Sequence, residues 1–240
     1  MTPAAAPQGL SLAAVRLSGV DLGLEHVLDD DEVARAGMFR SQALRDRFVA
    51  GRIALRLHIS ALTGDRPGSL QALYSCPSCL NRDIPGHGLP AYRVPSRTSP
   101  LRVSLSRSED WCLLAACLDD GVAGVGVDIE AEPSAGFEGF QSVAMTGNER
   151  EKLRDVAPAG LPALMTRLWV RKEAVLKALG TGLAQDPASV DVAGPIPRLF
   201  DEPALEGRWQ FEDIDPFSLG LPDEFTAACA IRKATSRGPK

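Results

Sequence analysis

From Gly124 to Glu130 the chain reads Gly-Val-Gly-Val-Asp-Ile-Glu, with apolar Val125, Val127 and Ile129 alternating with Gly126, Asp128 and Glu130. A period of two is the pattern of a strand with one buried face, so Asp128 and Glu130 point the same way. Their Cα atoms are expected roughly 6.6 Å apart, within reach of one cation for a longer Glu arm and a shorter Asp arm. Alone, an Asp-x-Glu is most often a solvated strand end. Its meaning depends on what the rest of the chain brings to it.

Trp169-Val-Arg-Lys-Glu-Ala-Val-Leu-Lys177 carries the complementary period. Leu168, Val175 and Leu179 mark one apolar stripe of a helix, and Trp169, Glu173 and Lys177 follow at four-residue steps along a neighbouring face. Gly180 and Gly182 supply the stop signal. By itself Glu173 with Lys177 is an ordinary ion pair worth about 0.3–0.5 kcal/mol. Combined with the strand, it gives three carboxylates and a lysine that one small magnesium site can use.

These residues resemble the phosphopantetheinyl transferases of the surfactin-synthetase (Sfp) type. That family shows a G-[VI]-D-x-E strand, then some forty residues on a W-x-x-K-E-[AS]-x-x-K helix. Gly126-Val127-Asp128-Ile129-Glu130 and Trp169 to Lys177 match at every position that carries chemistry. Met145-Thr146-Gly147-Asn148-Glu149 is similar to the start of the family's linking helix, Arg47 to Arg56 to its arginine-rich helix, and Ser104-Leu105-Ser106-Arg107-Ser108 to its N-[IL]-S-H-S segment. Two departures fall in the coenzyme-binding half: Arg107 stands where the family has His, and Gly88-Leu89-Pro90 where it has Gly-[KR]-Pro. Leu89 removes a phosphate contact, whereas Arg107, always charged, can offer two donors and compensate.

The resemblance implies an α+β pseudo-dimer of two similar lobes, 1–122 binding coenzyme phosphates and 123–240 carrying the metal and catalytic residues, with the site in the cleft between them. It implies transfer of the phosphopantetheine arm of coenzyme A to a serine of an apo carrier protein, of fatty-acid, polyketide or nonribosomal-peptide type. Asp128, Glu130 and Glu173 would hold Mg²⁺ (or Mn²⁺), Glu173 would be the general base, and Lys177 would face the pyrophosphate. Arg35, Arg47, Gly88, Pro90, Ser106, Arg107, Asp128 and Lys177 would contact the coenzyme. Lys172, offset by about 100° from Glu173 on the helix, is read as a surface residue or a contact to the carrier's acidic recognition helix. Two rival classes use the same residues: a catalytically reduced paralogue that binds coenzyme or carrier, and a metal-dependent nucleotide pyrophosphate hydrolase.

Composition bounds the rest. At 240 residues, 45% hydrophobic and 24% charged, the chain reads as a soluble globular protein with no apolar run near the eighteen or so residues of a membrane span. Met1 to Pro7 lacks the basic and apolar regions of a secretion signal and is expected as a frayed tail. Five scattered cysteines fit a reduced, cytoplasmic protein better than a disulfide framework. A net charge of −5 argues against nucleic acid as a partner, yet Arg35, Arg40, Arg45, Arg47, Arg52 and Arg56 face a single acid, Asp46, over that stretch. Such a basic run is either a solvated face or a phosphate-facing one. Two internal lobes remove the need for a partner chain, so a monomer is expected.

Patterning gives a helix from Asp29 to about Arg40, begun by Asp29 with Glu32, and a longer one through Leu44, Phe48, Leu55 and Ile59 that ends at Gly64. Six prolines and four glycines in 64–100 point to a loop-rich bridge. Strands follow at 101–106, 111–118 and around Asp128, helices near 147–157 and 162–180, and strands near 208–214 and 225–232. Cys76 and Cys79, with His87 eight residues on, have zinc-ligand spacing but no evident fourth ligand; small buried thiols are the default. Cys112, Cys117 and Cys229 fall in expected core strands, and His26 and His58 have no partner nearby in sequence.

Overall fold

The computed structural model describes residues 9–75, 89–132, 139–201 and 208–234. Gly88, Cys76, Cys79, His87 and the opening seven residues lie outside them. Two antiparallel sheets, each crossed by one long helix, make up the α+β fold. The first sheet is built from β1 (Leu10–Arg16), β2 (Gln71–Ser75), β3 (Leu89–Arg93), β4 (Leu101–Ser108) and β5 (Trp111–Cys117), in the order β1-β5-β4-β3-β2. The second holds β6 (Val122–Ala131), β9 (Trp209–Ile214) and β10 (Phe225–Lys233), in the order β6-β10-β9, while β7 (Val190–Asp191) and β8 (Arg198–Leu199) form a separate pair.

The helix α1 (Asp30–Gly37) starts at Asp29, whose side chain accepts from the Glu32 backbone. The expected capping box is only half made, because the Glu32 carboxylate turns inward to Arg56 and Tyr92 instead. Next, α2 (Gln42–Thr63) ends at Gly64 with φ of 78°, a left-handed position that suits glycine. Its Ala50, Ala54, Leu55 and Ile59 pack on Cys112, Leu114 and Ala116 of β5.

The second half repeats this plan. After α3 (Phe140–Ala144), a complete capping box of Thr146 and Glu149 opens α4 (Gly147–Arg154). The long α5 (Leu161–Leu179) ends at Gly180, φ 89°, and buries Val170, Ala174 and Ala178 against Ala228 and Ala230 of β10. Between the sheets lies a third apolar layer, in which Leu113, Ala115 and Cys117 meet Val125, Val127, Ile129 and Ile231. Each such fully buried large side chain contributes about 1.5–3 kcal/mol.

Sequence patterning leaves out five strands, β1, β2, β3 and the short pair β7 and β8. Within the stretch expected as a bridge, β2 and β3 form a hairpin in which Tyr74 pairs with Pro90 and Leu73 with Ala91. Proline is tolerated here because β3 pairs with β4 only at Ala91 and Tyr92. Also left out is β1, which lies along β5 from Leu10 opposite Cys117 to Arg16 opposite Trp111. No described helix is long and apolar enough to cross a membrane.

Candidate active site

Glycine brings the two motifs together. On β6, Gly124 and Gly126 share a face with Asp128 and Glu130, and α5 lies directly on the two glycines. A Cβ at Gly126 would fall 1.9 Å from the Ala174 carbonyl oxygen, and one at Gly124 2.0 Å from that of Ala178. No side chain fits there. The residues flanking those carbonyls on α5 are Glu173 and Lys177, so the close approach sets them over Asp128.

Lys177 Nζ lies 2.6 Å from Asp128 Oδ1 and 2.9 Å from Ser106 Oγ, and the Ser106 hydroxyl donates to the same Asp128 oxygen at 2.6 Å. Asp128 is 2% exposed, and its second oxygen, Oδ2, is buried with no hydrogen-bond partner among the described residues. Glu130 accepts from Ser108 Oγ at 3.1 Å; burial and the Asp128 charge push its carboxyl up. Burial likewise pushes Glu173 up to about 7, with Lys177 drawing it down and Asp128 and Glu130 adding to the rise. Three carboxylates therefore share one ammonium, a local excess of negative charge that asks for a further cation.

Among the described residues, no three Asp, Glu, His or Cys side chains are gathered into a set ready to hold a metal ion. Asp128 is turned to Lys177 and Glu130 to Ser108. Oxygen donors, an unpartnered Asp128 Oδ2 and two raised carboxyls fit a hard cation such as Mg²⁺.

Serines of β4 tie the first sheet to the edge of β6. Ser104 Oγ accepts from the Val127 backbone and Ser108 Oγ from the Ala131 backbone, each at 3.1 Å, while Ser106 binds Asp128 between them. Of the three serines, the family resemblance implies a coenzyme contact for Ser106 alone. The signal for Ser104 and Ser108 was their period of two with Ser106, which places all three on one face.

Arg107 points the other way, towards α2. Its Nη1 donates to the Arg47 carbonyl at 3.1 Å, its stem lies against Gly51, and its guanidinium is 6.0 Å from the Phe48 ring centroid. Burial, with Arg52 and Arg47 beside it, lowers it to about 10. Arg52 covers Phe48 and Tyr74, with its Nη1 buried and without a hydrogen-bond partner among the described residues. Phe48 stacks at 5.3 Å with Phe39, and Arg35 covers Phe39. Arg35, Arg52 and Arg107 thus surround one aromatic pair, so Arg52, in sequence one of six arginines of a basic run, joins the candidate residues. Arg47 donates to the Glu109 carbonyl and acts electrostatically on Glu130, placing it between the arginine cluster and the acids.

Lys172 is neither exposed nor a docking residue. It is 0% exposed, its Nζ is 2.7 Å from Glu149 Oε2 and 3.0 Å from the Pro187 carbonyl, and it also donates to Val190. Burial pulls its ammonium down while Glu149 pushes it back up. The partner lies 23 residues upstream, beyond the reach of helical periodicity. Cys112, Cys117 and Cys229 are free and buried, and burial raises Cys112 to about 11.

The chain matches the model of the 4'-phosphopantetheinyl transferase superfamily over residues 124–230, the stretch holding Asp128, Glu130, Glu173 and Lys177. Among individual proteins it is similar to the 4'-phosphopantetheinyl transferase HetI of Nostoc sp. (strain PCC 7120), 31% identical over 163 residues, which are 68% of this chain. The aligned stretch spans 63% of that relative's length. Two solved structures are similar at 20% identity and TM-score 0.37. One is a Bacillus anthracis holo-(acyl-carrier-protein) synthase in complex with CoA (3',5'-ADP), covering 48% of this chain and 98% of that one. The other is the Thermotoga maritima holo-[acyl-carrier-protein] synthase, covering 47% and 64%.

Proposed function

We propose that this protein is a 4'-phosphopantetheinyl transferase that moves the phosphopantetheine arm of coenzyme A to a serine of an apo carrier protein. The observation that carries this reading is the meeting of Asp128, Ser106 and Lys177, three residues from three segments, with Glu173 one helical turn before the lysine. The carrier serine oxygen forms a bond to the phosphorus bearing the pantetheine arm. The bond from that phosphorus to the bridging pyrophosphate oxygen breaks, and adenosine 3',5'-bisphosphate leaves with the electron pair. Glu173, as general base, accepts the serine proton, and a carboxyl raised by burial is suited to that exchange near neutral pH.

Asp128, Glu130 and Glu173 would hold a Mg²⁺ ion. When bound, the ion supplies positive charge to the pyrophosphate oxygens, where phosphoryl transfer gathers negative charge. Lys177 reaches the leaving pyrophosphate from the α5 side and stabilises its developing charge. Ser106 orients Asp128. On the coenzyme side, Arg35, Arg47 and Arg107, with Gly88 and Pro90, serve the phosphates; guanidinium groups clustered around Phe39 and Phe48 are what an anion completes. Residues 1–122 act as the coenzyme-phosphate lobe and 123–240 as the catalytic lobe, and the protein works as a cytoplasmic monomer.

Incubation with coenzyme A, Mg²⁺ and a panel of apo carriers, read by intact mass, tests the proposal. A carrier gaining one phosphopantetheine supports it. Coenzyme consumed without carrier modification would indicate pyrophosphate hydrolysis, and tight coenzyme binding with no turnover on any carrier would indicate a binding module.

A further inference from the structure

Lys177 is paired with Asp128, one of the acids assigned above to a divalent ion. Its Nζ is 2.6 Å from Asp128 Oδ1 and 2.9 Å from Ser106 Oγ. Resting on that metal assignment, we infer that Lys177 is a placeholder cation: in the coenzyme-free protein it holds the metal's position on Asp128 and yields it when the coenzyme's pyrophosphate takes the ammonium.

Three observations lead there. The acids are not gathered for a metal, although the glycine contact already brings their backbones together. One oxygen of Asp128 is filled by Lys177 and Ser106, while the other has no partner, so the carboxylate is half-committed to an internal cation. The ammonium, moreover, is fixed to α5, four residues after Glu173, and cannot diffuse away. A divalent ion arriving alone must compete with a tethered charge for a buried carboxylate, whereas arrival with a pyrophosphate brings the lysine a substitute partner.

The consequence is an ordered or strongly coupled loading of metal and coenzyme, and it assigns Lys177 a role before chemistry as well as during it. Removing the ammonium frees Asp128, so the variant should bind metal on its own more tightly than the native protein does.

The test is direct binding of Mn²⁺ to the coenzyme-free protein, followed by electron paramagnetic resonance of the free ion. Lys177→Met keeps the apolar stem and deletes the charge, and it should bind Mn²⁺ about tenfold more tightly than the native protein. Lys177→Arg, which keeps a cation, should not. Thermal melting with and without Mn²⁺ provides a second readout, with a larger stabilisation by metal in Lys177→Met. Equal or weaker Mn²⁺ affinity in Lys177→Met overturns the inference. Asp128→Asn with coenzyme A present separates the two levels: loss of Mn²⁺ there keeps the metal site standing even if the placeholder fails. If no Asp128-dependent Mn²⁺ binds under any condition, both fail together.

Discussion

The carbonyl oxygen of Ala174 occupies the space that a Cβ on Gly126 would need, 1.9 Å from its ideal position. The contact is backbone on backbone, so no rotamer change relieves it. Gly126→Ala must push α5 off β6, costing about 3 kcal/mol and parting Glu173 and Lys177 from Asp128. Chemical denaturation should record the lower stability, and carrier modification should fall further than the loss of folded protein explains. Unchanged stability would mean that α5 and β6 do not pack this way.

Glu173 gives a pH signature in the metal-free protein. Its carboxyl is raised from 4.5 to about 7, so between those values the folded state binds the proton more firmly than the unfolded state. Stability contributed by the protonated form is present below about 4.5 and is lost as pH rises towards 7. Glu173→Gln carries no such loss. In EDTA it should match the native protein at pH 4.5 and exceed it at pH 8 by on the order of 1–3 kcal/mol, while carrier modification is abolished. Parallel stability curves for the two proteins would contradict the burial of a functional carboxyl.

Lys172→Ala leaves Glu149 buried without its cation and should cost about 3–5 kcal/mol. Lys172→Met combined with Glu149→Gln removes both charges and should recover part of that loss. For the fraction that folds, the carrier KM should be unchanged, since Lys172 is enclosed by α4, α5 and the segment before β7. A raised carrier KM with normal stability would return Lys172 to a docking role.

Arg107→Ala tests whether the cluster around Phe39 and Phe48 serves the coenzyme. The KM for coenzyme A should rise about tenfold, as expected for a lost charge-assisted phosphate contact, with little change in the KM for carrier. The opposite split would assign Arg107 to the carrier side or to the packing of α2 alone.

Much of this was legible in the sequence because local chemistry and fold agree. Alternation through Val125, Val127 and Ile129 gave the strand and the shared face of Asp128 and Glu130, and Gly64 and Gly180 marked the ends of α2 and α5. β1 escaped because it is covered on both sides, Leu10, Leu12 and Ala14 entering one apolar layer and Val15 the other. Its sequence therefore has no polar face to alternate with. β2 and β3 were hidden by prolines that a sheet margin tolerates. At the site, the residues were readable but their partners were not: Lys177 with Asp128, Lys172 with Glu149 and Ser108 with Glu130 are separated by 49, 23 and 22 residues. Such pairings come from tertiary packing alone.

As proposed, Asp128, Glu130 and Glu173 would hold one divalent ion once coenzyme is bound. Anomalous diffraction from crystals grown with coenzyme A and Mn²⁺ tests it most directly. The expected result is a single manganese peak beside these carboxylates, with Lys177 moved from Asp128 onto phosphate oxygens. A peak elsewhere, or bound coenzyme with Lys177 still paired to Asp128 and no manganese between the acids, would contradict it.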